Sequence, residues 1–146
     1  MTSAPAHARK SYEEFLRSKV PQAEEAGFDP PSPPHASLKP HQIDIAKWAC
    51  RGGRRAIFAK FGLGKTRIAL QLGAWVCGHT GGRFLIIAPL GVRQEFTLSD
   101  GPAMGLRIEY VRDDTEIQAS TARILITNYE RVRDGGITLE QFAGVS

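Results

Sequence analysis

Cysteine is scarce in this 146-residue chain, with only Cys50 and Cys77, and they form no C-x-x-C pair. That excludes a disulfide-stapled scaffold and a local dithiol redox motif. The two read instead as reduced thiols, buried on helices. The four histidines, His7, His35, His41 and His79, lack the spacing of metal ligands. No apolar run approaches the length needed to span a bilayer. Polar and proline-containing sequence follows Met1 rather than an apolar leader, so a cytoplasmic protein is expected. Internal repeats are absent, and no Asp-Glu dipeptide occurs anywhere in the chain.

The remaining composition is that of one ordinary folded domain, 42% apolar and 23% charged. A net charge of +4 and a pI near 9.3 permit nucleic-acid binding, but a mild basic excess is more often just solvated surface.

Two regions differ in character. Residues 1–36 read as an N-terminal arm, disordered over 1–10. Ser11-Tyr12-Glu13-Glu14 then has capping-box spacing and opens a short helix to about Val20, with Tyr12, Phe15 and Leu16 as its apolar side. Pro21 ends that helix. Asp29 to Pro34 (Asp-Pro-Pro-Ser-Pro-Pro) can be neither helix nor central strand and reads as an extended spacer. From Ser37 the periodicity changes. A helix starts at Pro40 and stops at Gly52-Gly53, with Ile43, Ile45, Ala46, Trp48 and Ala49 on its apolar face. Buried strands are expected at 55–59, 83–88 and 123–128, and a half-exposed one at 106–111. Helices are expected at 65–78, within 89–98 and at 138–142. Asp113-Asp114 is placed on a loop, and Gly144-Val145-Ser146 at the start of a further strand. Strands alternating with helices give an α/β class with a parallel sheet and right-handed crossovers.

The most informative segment is Ala59-Lys60-Phe61-Gly62-Leu63-Gly64-Lys65-Thr66. Between an expected strand and an expected helix, it is a phosphate-binding loop. Gly62 and Gly64 let the backbone turn its N–H groups inward as a concave nest, to which Phe61, Leu63 and Arg67 also belong. The helix that follows adds open amides and the positive end of its dipole. Lys65 would reach the β and γ phosphates of ATP, and the Thr66 hydroxyl would take one position on Mg²⁺. A bare strand-to-helix turn has no need of Lys-Thr after its last glycine.

Three more segments surround this loop: Leu38-Lys39-Pro40-His41-Gln42 before it, then Leu85 to Val92, then Ile124 to Glu130. Their order resembles the first RecA-like domain of superfamily-two helicases, especially remodelling-type translocases and the DEAD/DEAH-type helicases of phages and prophages. The resemblance covers residues 37–146, about three quarters of the chain. It implies that Gln42 reads the adenine edge through an amide that can both donate and accept. It further implies that Pro89, Leu90 and Arg93, together with Thr127, Asn128 and Tyr129, touch a nucleic-acid backbone without reading sequence. DNA is favoured over RNA as the partner.

Each assignment has a plainer alternative: Gln42 as an exposed helix residue, Pro89 as a strand end, Tyr129 as packing, Arg93 as a solvated arginine. In this family a later strand ends in Asp-Glu, which holds the Mg²⁺ water shell and orients the attacking water. A second RecA-like domain supplies arginines. Neither stands in this sequence, so the expectation is the amino-terminal part of a longer ATPase, its partner the remainder of the helicase. Such a chain would bind ATP and Mg²⁺ yet hydrolyse little. A non-catalytic nucleic-acid- or protein-binding module is the second reading, and a small-molecule P-loop kinase the third, since no Arg-rich lid segment is present.

Overall fold

The computed structural model describes residues 6–19 and 24–142. Pro21 and the expected strand start at 144–146 lie outside them. Within them the chain is α/β, with a three-stranded parallel sheet and six α-helices.

Helix α1 (Ala6–Lys19) begins five residues before the capping-box position, so part of the segment expected to be disordered is helical. Its apolar side stays open: Tyr12, Phe15 and Leu16 are all exposed. Helix α2 (Pro40–Gly52) starts on its proline, whose fixed φ suits the first helical turn. Helix α3 (Lys65–Thr80) follows the phosphate loop and closes on Gly81 in the left-handed region. Strand β1 (Phe84–Ile87) comes next, then a 3₁₀ turn at Leu90–Val92, a π-helical turn at Glu95–Asp100 and helix α4 (Gly101–Ala103).

Strand β2 (Ile108–Tyr110), helix α5 (Asp114–Ala119), strand β3 (Ile124–Thr127), helix α6 (Tyr129–Arg133) and a 3₁₀ turn at Leu139–Phe142 complete the order. The sheet order is β1-β3-β2, with Phe84 opposite Ile124 and Ile108 also opposite Ile124. The central strand β3 is buried at every residue, as its unbroken Ile-Leu-Ile run requires. On one face Ile86, Ile124 and Ile126 pack with Leu70 and Cys77 of α3 and with Phe96, Met104 and Ile108. On the other, Leu125 and Leu85 meet Val111, Ile117, Ile137 and Phe142. The sheet is thus covered on both faces.

The expected strand at 55–59 does not form. Arg55 to Ala59 is neither strand nor helix, though its burial alternates, with Ile57 against Ile68 and Trp75 while Phe58 is 97% exposed. A strand needs a ladder as well as apolar residues, and among the described residues none pairs with this segment. Asp113-Asp114 is not a loop. Asp113 caps α5 by accepting the Glu116 amide hydrogen at 2.9 Å, and Asp114 is the first residue of that helix.

The proline-rich stretch is neither helix nor strand, as its composition demands, but it bends at Pro31 and Ser32 and is fastened rather than free. The amides of Ala26, Gly27 and Phe28 donate to the last carbonyls of α2, those of Gly52, Arg51 and Cys50. These are the orphan acceptors that every helix end leaves. Gly27 is required there, because a Cβ would sit 1.8 Å from the Cys50 carbonyl oxygen. Further along, the fully buried Trp75 indole N–H donates to the Ser32 carbonyl at 3.0 Å, and the His35 amide donates to Gln71 at 2.8 Å.

Candidate functional site

The phosphate loop runs from Lys60 into α3. The Leu63 amide donates to the Lys60 carbonyl at 3.3 Å, which closes a tight turn, and Gly62 and Gly64 follow with φ of 83° and 77°. Left-handed backbone of this kind is open to glycine and costly for residues with a Cβ. Gly64 is the helix N-cap, with no side chain capping the amides of the first turn. Lys65 is exposed and Thr66 half-buried, both at that turn. A loop with two left-handed glycines, an uncapped helix start and an exposed lysine has groups that could hold a triphosphate. When bound, ATP would present its β and γ phosphates to Lys65 and its Mg²⁺ to the Thr66 hydroxyl.

Gln42 reaches this loop from α2. It is buried at 4% exposure, which excludes the plain reading as an exposed helix residue. Its Oε1 accepts the Lys39 amide hydrogen at 2.8 Å, and its Nε2 donates to the Leu63 carbonyl at 3.2 Å. The first bond is the return half of a capping box, tying the start of α2 to its third residue. The second clamps the loop. The contact is so close that a Cβ on Gly64 would fall 2.0 Å from Nε2. His41 adds a 3.3 Å contact to the same Leu63 carbonyl. Phe61 stands fully exposed at the crest of the loop, with Leu63 partly exposed beside it. Arg67 turns away from the crest, pairing with Asp100 at 3.1 Å and donating to the Ser37 hydroxyl at 2.9 Å.

The second group of residues gathers at the carboxyl ends of the parallel strands, the edge where α/β sheets carry their sites. Pro89 and Leu90 follow β1 and are exposed. Arg93 lies one turn further, its guanidinium 4.7 Å from the centroid of the Tyr110 ring, a cation–π arrangement. Tyr110 ends β2, and its hydroxyl donates to Asn128 Oδ1 at 2.9 Å. Asn128, just past β3, in turn donates through Nδ2 to Glu130. Its own backbone N–H, then the Asn128 amide, hold the Glu130 carboxyl below the usual carboxylate range.

Two of the expected contacts separate from this cluster. Thr127 is 1% exposed, and its hydroxyl donates inward to the Val111 carbonyl at 2.8 Å. Tyr129 is 58% exposed and opens α6, so it is not a packing residue. Beside Arg93 and Tyr110 lies a cavity of about 800 Å³, lined also by Gln94, Thr97, Arg112 and Glu116. Within it Glu116 is held by Arg112, which keeps its carboxyl charged below the ordinary range.

Tyr110 and Asp100 were not legible as site residues. Tyr110 could have been found from its place at a strand end on the functional edge. Asp100 pairs with Arg67 across 33 residues of sequence, and no local pattern signals that. Among the described residues there is no cluster of His, Cys, Asp and Glu able to hold a metal ion. No helix there is long and apolar enough to cross a membrane. Comparison with protein-family models, with curated proteins and with solved structures finds no match.

Proposed function

We propose that this chain is the ATP-binding, amino-terminal part of a RecA-like domain from a nucleic-acid helicase or translocase of superfamily two. One observation carries the reading: the Gly62–Thr66 loop, with both glycines left-handed and an uncapped helix start behind an exposed Lys65. ATP–Mg²⁺ is the ligand, with Lys65 and Thr66 on its phosphates and metal. Gln42 uses one lone pair on the Lys39 amide and one amide hydrogen on the Leu63 carbonyl, leaving one of each for an adenine edge. The chain binds ATP with little or no hydrolysis, because the sequence offers no Asp-Glu pair to hold the metal's water shell and orient the attacking water.

The partner is a nucleic-acid strand, DNA before RNA, in a cytoplasmic setting, met by exposed residues after β1 and β3. A motor of this class couples its two ligands, so ATP–Mg²⁺ must change the affinity for a single strand, and the strand must change the affinity for ATP by the same factor. Anisotropy of a labelled oligonucleotide, titrated with and without ATP–Mg²⁺, measures this. Coupling of about fivefold or more is expected. DNA binding that ignores nucleotide and survives Lys65→Ala would instead favour a non-catalytic binding module.

A further inference from the structure

Several arginines here are neutralised by carboxylates: Arg51 by Asp29, Arg67 by Asp100, Arg107 by Glu109, Arg112 by Glu116 and Arg133 by Asp134. Arg93 is held differently. Among the described residues no carboxylate pairs with it, and its guanidinium lies over the Tyr110 ring instead. That ring is itself fixed, since its hydroxyl is tied to Asn128 and Asn128 to Glu130. Asn128 is 7% exposed, so the tether is anchored in the body of the protein. Three segments distant in sequence therefore converge on one uncompensated positive charge beside an open cavity of about 800 Å³.

A ring under a guanidinium orients its plane without occupying its N–H donors. A carboxylate partner would occupy those donors and cancel the charge. The arrangement suits a planar fork presented to an oxyanion, and phosphate is the ligand such a fork matches bidentately.

We propose that Tyr110 is a positioning residue that holds Arg93 as a phosphate fork for the backbone of a single nucleic-acid strand, with Asn128 as the anchor of the ring. This rests on the nucleic-acid reading above and adds to it a residue outside the resembling motifs. Tyr110 touches no phosphate. It acts through Arg93, and Asn128 serves as a tether for Tyr110.

The test uses the full chain and a short fluorescent oligothymidylate, with affinity measured across a series of salt concentrations. Each phosphate contact adds about 0.7 to the slope of log affinity against log salt for a single strand. Arg93→Ala is expected to lower that slope by about this amount. Tyr110→Leu should weaken binding about three- to tenfold and lower the slope by the same amount. Adding Tyr110→Leu to Arg93→Ala should then cost nothing further, because both remove one contact. Tyr110→Phe keeps the ring and loses the tether to Asn128, so its affinity and slope should fall between those of the parent and of Tyr110→Leu.

Tyr110→Leu with an unchanged slope, or with a loss that adds fully to that of Arg93→Ala, would overturn the proposal. So would Tyr110→Phe behaving as badly as Tyr110→Leu while its melting temperature stays that of the parent. These outcomes leave the nucleic-acid reading intact. If the parent chain binds no oligonucleotide with or without ATP–Mg²⁺, that reading fails first and the proposal with it.

Discussion

Gly64 carries two constraints at once, and they can be separated by mutation. Its φ of 77° disfavours any residue with a Cβ by about 1–2 kcal/mol, and an added Cβ would also strike Gln42 Nε2. Gly64→Ala should therefore lower stability by more than the backbone cost alone, read from urea unfolding. Gln42→Ala in the same chain should recover the steric part, so the pair will be non-additive. Simple additivity would mean that Gln42 does not press on the loop. The left-handed glycines of this loop were legible because a tight turn into a helix demands them locally. The clamp by Gln42 was not, since its bond to the Leu63 carbonyl joins residues 21 apart and no local pattern signals it.

At the scale of elements, the clearest lesson concerns 55–59 and β3. Both read as short apolar runs, and only β3 became a strand. Its Ile124-Leu125-Ile126 core has a neighbour on each side, whereas Arg55 to Ala59 has none among the described residues. Strand pairing is a non-local fact, so an apolar run reports burial and not the ladder. Leu125, fully buried beneath Val111, Ile117 and Ile137, should cost about 2–5 kcal/mol when truncated to alanine, measured by denaturant unfolding.

Helix α5 offers a pH-dependent element. Its Asp114 accepts the Thr138 hydroxyl, the Thr138 amide at 2.9 Å and the Gln141 amide, and these bonds hold its carboxyl below the ordinary value of 3.8. A depressed folded-state pKa gives stabilisation that is complete above the unfolded value and lost as pH falls through the folded one. Amide exchange at Thr138 should therefore stay slow down to about pH 4 and quicken, beyond the intrinsic trend, below it. Asp114→Asn should show fast exchange already at neutral pH. Unaltered protection in that variant would contradict the role.

For the molecule as a whole, the proline-rich stretch is a structural strap. That it would be neither helix nor strand was legible, because proline leaves little else. The fastening was not legible, since it joins the Ser32 carbonyl to Trp75, the His35 amide to Gln71, and the amides of Ala26, Gly27 and Phe28 to the end of α2. Trp75→Phe removes the bond to Ser32 and should cost about 1 kcal/mol, plus the smaller ring's lost packing.

The two thiols report on the same body. Burial raises both Cys50 and Cys77 above the ordinary thiol range, and Cys50 donates to the Phe28 carbonyl on the strap. A thiol reagent should react slowly with native protein and rapidly with both cysteines once it is denatured. Rapid native reaction at Cys50 would mean that the strap opens far more readily than the core.

The central claim is that the Gly62–Thr66 loop holds a triphosphate through Lys65, and equilibrium binding of a fluorescent ATP analogue with Mg²⁺ tests it most directly. Saturable binding, displaced by unlabelled ATP and weakened about tenfold or more in a folded Lys65→Ala chain, is the predicted result. Equal affinity in the parent and Lys65→Ala chains, or no binding by the parent, would contradict it.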